Sequence, residues 1–74
     1  MKKHEEPIKI LFDKLKKDKS IIYEYTEKSI IVYLEAVSDY HLQHLQRYCF
    51  ENRLYFDVKA EKNKLIITIQ NDNS

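Results

Sequence analysis

No glycine occurs anywhere in the 74 residues, where average usage of about 7% would supply roughly five. Every tight turn must therefore be made without the residue that enters positive φ at no steric cost. The same absence removes whole classes of chemistry. A phosphate-cradling P-loop, a dinucleotide fingerprint and a nucleophile elbow each need glycine at fixed positions.

Within that restriction, two stretches carry the clearest pattern. Residues 21–26 and 29–35 are rich in β-branched and aromatic side chains and flank Glu27-Lys28, so they read as two strands of a hairpin. Folding about that dipeptide sets Tyr25 opposite Ile30, Tyr23 opposite Val32 and Ile21 opposite Leu34. Six large apolar residues then share one face, and a slip of one residue would destroy the match. A second hairpin is expected from 54–61, a Lys62-Asn63 turn and 64–70. There Ala60 meets Leu65, Val58 meets Ile67 and Phe56 meets Ile69, with Asn63 expected to take the positive φ of a two-residue turn.

Helical periodicity fills the remainder. Ile8, Leu11, Phe12 and Leu15 make one stripe, which predicts a helix over 7–17 with Pro7 in its first turn. Ser38 is a good N-cap for a second helix over 39–52, with Val37 and Leu42 placed as a hydrophobic staple. Leu42, Leu45 and Cys49 form its inner stripe, Gln43, Arg47 and Glu51 point outward, and Asn52 is expected to close it in a left-handed conformation.

The resulting order is α-β-β-α-β-β, in which a helix–hairpin unit occurs twice. The expected fold class is α+β: a four-stranded antiparallel or mixed sheet with both helices on one face. The preferred strand order is 3-4-2-1, a circular permutation of the ferredoxin-like two-layer sandwich. Residues 1–6, charged and unpatterned, are expected to be a disordered tail, 7–70 a single domain and 71–74 a loose end.

Charge gives little direction to the choice of partner. Thirteen basic and twelve acidic residues leave a net +1, although seven of the lysines fall within residues 1–19. The lone Cys49 cannot form an internal disulfide, so nothing depends on an oxidising compartment. The first apolar stretch is broken by Lys9 and Asp13 and lacks the features of a signal peptide, and no run approaches 18 apolar residues. A cytoplasmic protein without membrane contact is expected.

Candidate chemistry is sparse. His41 and His44, three apart on the second helix, can share a metal, but no third ligand is evident, and neither a metal nor another cofactor is expected. Cys49 has no base one turn back, where Leu45 and Gln46 lie, and reads as a small buried hydrophobe. Glu24 and Asp57 fall on opposite edge strands, about 14 Å apart at the usual strand spacing, too far for a paired-carboxylate site. A catalytic role is not expected.

The outer sheet face is the feature that stands out. A solvated face should alternate with the core as polar against apolar, yet Ile22, Ile31, Tyr33 and Ile66 all point away from the helices. The expectation is a small interaction module that binds a protein partner, or a second copy of itself, through this face, with Ile31, Tyr33 and Ile66 central and Ile22 and Tyr55 at the margin. The competing expectation is nucleic-acid binding, by Tyr33 and Tyr55 as stacking platforms or by Lys9, Lys14, Lys16, Lys17 and Lys59 as phosphate contacts. Glu24, Glu35 and Asp57 on the same face oppose it.

Overall fold

Six elements follow one another as α1 (Lys2–Leu15), β1 (Ile22–Tyr25), β2 (Ser29–Leu34), α2 (Asp39–Glu51), β3 (Leu54–Glu61) and β4 (Lys64–Asn71). The computed structural model describes residues 2–15, 21–35 and 37–71. The four strands form one sheet in the order β1-β2-β4-β3. This is the expected order read from the opposite edge. Every neighbouring pair is antiparallel, so the sheet is not mixed.

The registers are those that the apolar pattern demands. Tyr23 pairs with Val32 and Tyr25 with Ile30, while Phe56, Val58 and Ala60 pair with Ile69, Ile67 and Leu65. β2 and β4 meet in the middle, where Ile30 faces Ile69, Val32 faces Ile67 and Leu34 faces Leu65. Ile30, Val32, Leu34, Ile67 and Ile69 are buried, and they form one cluster with Ile8 and Phe12 of α1, Leu45 and Cys49 of α2, and Leu54. Burying a side chain of the Ile, Leu or Phe type contributes about 1.5–3 kcal/mol, so this layer between helices and sheet is the main source of stability.

The first helix departs from expectation at its start. It begins at Lys2 rather than Pro7, so residues 2–6 are helical instead of a disordered tail, and Pro7 lies inside the helix; its expected end at residue 17 lies outside the described residues. A proline there removes the bond that its N–H would give to Lys3. Tertiary contact offsets the loss: His4 is buried, and its Nδ1 lies 2.9 Å from the Tyr48 hydroxyl of α2. His4 stands four residues before Ile8 and eight before Phe12, so the buried stripe of α1 extends one turn further back than its aliphatic residues alone suggest. At the other end of the chain, Asn71 is paired with Leu54 in the sheet and is not part of a loose end.

Among the described residues, turns without glycine are made in two ways, by a side-chain hydroxyl and by a left-handed residue of another type. At 26–29 neither Glu27 nor Lys28 takes positive φ. Instead the Thr26 hydroxyl accepts from the backbone N–H of Lys28 and of Ser29, while Thr26 N–H donates to the Ser29 carbonyl at 2.9 Å. At the second turn Lys62, not Asn63, is left-handed, with φ 54°. At the end of α2 the expected left-handed Asn52 has φ −107°, and Arg53 takes φ 55° in its place. The displacement has a simple cause. A helix that ends on a left-handed residue places it one position beyond the cap, and Asn52 is itself the cap, its N–H bonded to the Tyr48 carbonyl at 3.1 Å. At the other end of α2, Ser38 caps as expected, its Oγ accepting from His41 N–H at 3.3 Å.

Candidate functional site

Alternation along each strand sends every second side chain to the side of the sheet away from the helices. Joining the three registers gives rows that cross the whole sheet. One row runs Ile22–Tyr33–Ile66–Lys59, from β1 to β3. The next runs Glu24–Ile31–Thr68–Asp57 in the same strand order. The structure therefore brings Ile22, Ile31, Tyr33 and Ile66 together as neighbours. Ile22 is 60% exposed, and the other three are half-buried, while Val32 and Ile67 beside them face the core and are buried. Tyr33 and Ile66 thus point away from the helices, as the apolar alternation requires.

Tyr33 is the polar member of this patch. Its hydroxyl donates to Glu24 Oε2 at 2.7 Å, diagonally across to the edge strand. That hydrogen bond to a carboxylate holds the phenol above its ordinary pKa, so Tyr33 stays neutral. Beside it, Tyr33 and Ile66 border a concavity closed by the turn residues Glu61, Lys62, Asn63 and Lys64. Tyr55 is exposed but stands apart, in the row Ser29–Gln70–Tyr55, with Gln70 and Asp57 as its nearest neighbours on that face. It does not extend the patch. Glu24 and Asp57 occupy opposite ends of one row, three strand spacings or about 14 Å apart.

Of the expected phosphate contacts, the two whose side chains are described, Lys9 and Lys59, do not gather. Lys9 is exposed on α1, Lys14 falls in its last turn, and Lys16 and Lys17 lie outside the described residues. Lys59 closes the row beyond Ile66, on the far side of the molecule's sheet layer from α1.

The chain matches no protein-family model, no curated protein and no solved structure.

Among the described residues no three His, Cys, Asp or Glu side chains cluster around a common point. His44 instead packs edge-on against Tyr40, with ring centres 4.4 Å apart. Cys49 is buried, and desolvation pushes its thiol up to about 11, the wrong direction for a nucleophile. No described helix is long and apolar enough to cross a membrane.

Two surface features escaped the sequence pattern. Phe50 on α2 is 84% exposed and borders a shallow depression with Gln43, Gln46 and Arg47; lying one position past Cys49, it falls off the inner stripe. On β3, Val58 is 37% exposed although it points to the helix side of the sheet, whereas its partner Ile67 is fully covered. The signal for the second was available, since an edge strand has a neighbour on one side only.

Proposed function

We propose that this chain is a small interaction module that takes a protein partner on the outer face of its sheet, in a cytoplasmic setting. The observation that carries the reading is the row Ile22–Tyr33–Ile66, three apolar or aromatic residues side by side on three neighbouring strands. An aromatic among aliphatics, bordered by Glu24, Lys59 and Lys64, has the composition of an interface core with a charged rim. The Tyr33 hydroxyl already has Glu24 as its acceptor, so covering the ring leaves no polar group unpaired. The topology supports a kinship in architecture with a permuted ferredoxin-like sandwich, in which this face is likewise the one the helices leave bare.

Nucleic-acid binding is the weaker reading. Tyr33 and Tyr55 are accessible on an open sheet, but they are not adjacent, and Glu24, Glu35 and Asp57 repel phosphate from the same surface.

The test is photo-crosslinking in the source cells from a benzophenone amino acid placed at Tyr33, at Ile66, or at Tyr40 on α2 as a control. A discrete protein adduct from positions 33 and 66, absent from 40 and lost with Ile31→Glu, is the expected result. Equal labelling from all three positions, or an adduct removed by nuclease, overturns the reading.

A further inference from the structure

We propose that β3 is a self-pairing edge, through which two copies of this chain join antiparallel about a two-fold axis at Val58 into one eight-stranded sheet. This goes beyond the outer-face reading and does not depend on it.

The hydrogen-bond pattern identifies which backbone groups are free. Thr26 N–H bonds to the Ser29 carbonyl, so the pairs that follow in the ladder, Glu24–Ile31 and Ile22–Tyr33, are the bonded ones. Ile30, Val32 and Leu34 then direct their N–H and C=O groups to β4, where they meet Ile69, Ile67 and Leu65. It follows that Gln70, Thr68, Ile66 and Lys64 serve β3, bonding Tyr55, Asp57, Lys59 and Glu61. Phe56, Val58 and Ala60 are left with their backbone groups aimed at the open edge. That edge is eight residues long and continuous in register, without bulge or proline, the kind of edge that pairs unless something blocks it.

The side chains select the occupant. With the axis at Val58, the outward-aimed groups of Phe56, Val58 and Ala60 meet those of Ala60, Val58 and Phe56 in the second copy, and each chain donates three hydrogen bonds. On the outer face Asp57 falls opposite Lys59 of the second copy, twice by symmetry, and Tyr55 falls opposite Glu61. On the helix side Val58 meets Val58 and Phe56 meets Ala60, which covers the apolar surface that Val58 leaves exposed at 37%. Other registers must shift by two residues to keep outward groups together. Moving the axis to Asp57 sets that carboxylate against its own copy, and moving it to Lys59 sets Lys59 against Lys59 and Asp57 against Glu61. The charge sequence Asp57-Val58-Lys59 is thus complementary to its own reverse, which no unrelated partner requires. Once β3 is paired, the remaining edge is β1, half as long, so assembly closes at two copies.

Sedimentation equilibrium of the full chain across the micromolar range tests this, with circular dichroism to verify folding. The wild type sediments as a dimer. Asp57→Lys and Lys59→Asp each place like charges opposite one another twice and weaken association about tenfold, whereas the double exchange restores it. Tyr33→Glu leaves the dimer intact. A monomeric wild type, a double exchange as weak as its singles, or dissociation by Tyr33→Glu overturns the proposal; the last of these assigns self-association to the outer face.

Discussion

The imidazole of His4 and the hydroxyl of Tyr48 meet at 2.9 Å, joining two helices across 44 positions of chain. Their rings pack edge to face with centres 5.9 Å apart. Burial, and after it the charge of Lys3, holds His4 below its ordinary pKa of 6.5. An unfolded chain takes up the proton at the ordinary value. Between that value and the lowered folded one, the unfolded state therefore binds more protons, and stability rises with pH. The contribution is present in full above 6.5 and is lost as pH falls through the folded value. Urea midpoints measured from neutral to mildly acid pH should drop over this window. His4→Gln, which offers Tyr48 a polar atom that does not titrate, should flatten the drop; an unchanged slope would assign the acid limb to other groups.

Arg53 and Lys62 both hold a left-handed backbone, and each costs about 1 kcal/mol relative to glycine at the same angles. Both side chains are exposed, so little contact is lost on replacement. Arg53→Gly and Lys62→Gly should each raise stability by roughly 0.5–1 kcal/mol. Their effects should add, because the two turns lie at opposite ends of β3. Chemical denaturation of the two singles and the double decides this. A loss in either variant would mean that the arginine or lysine side chain makes a contact worth more than the backbone relief.

Much of the fold was legible because two independent constraints agreed. The pairing of Tyr23 with Val32 and of Val58 with Ile67 followed from apolar alternation folded about a dipeptide, and only one register put all the large residues on one side. Strand order was a preference only, since several orders let both hairpins share one pair of helices; the one with β2 beside β4 is the one that occurs. The beginning of α1 was not legible. His4 reads as a polar residue in a charged segment, and only Tyr48, far away in sequence, makes it a buried one. The left-handed positions were each displaced by one residue, because asparagine's tolerance of positive φ is a preference, while the position that needs it is set by where the helix or strand stops. For the candidate surface, Ile31, Tyr33 and Ile66 were placed by register alone. Tyr55 shared their face but not their neighbourhood, since parity along a strand fixes a side of the sheet and not a distance across it.

Cys49 should be inert in the native state. Its thiol is buried and pushed up to about 11 by desolvation, so almost no thiolate exists at neutral pH. Ellman's reagent should label the folded chain slowly, at a rate set by opening, and the denatured chain at once. Rapid labelling of the folded protein would show that α2 does not keep Leu45 and Cys49 seated in the core as the packing requires. The same reactivity serves as a probe of stability: variants that loosen the core should label faster in proportion to their loss.

Ile66 and Ile67 test the orientation of the sheet with a single pair of substitutions. They are adjacent on β4, but Ile67 is buried in the central cluster, whereas Ile66 lies half-buried beside Tyr33 on the outer face. Truncating a buried isoleucine to alanine costs about 2–5 kcal/mol, through lost transfer energy and the cavity left behind. A chain of this size has a total stability of about 4–11 kcal/mol, so Ile67→Ala should bring it close to unfolding. Ile66→Ala removes a side chain already in partial contact with water and leaves no enclosed cavity, so its cost should stay below about 1.5 kcal/mol. Thermal melts of the two variants measure the contrast directly. Equal losses would mean that something covers the outer face in the isolated chain, and Ile66 would then belong to a second core rather than to a surface awaiting a partner.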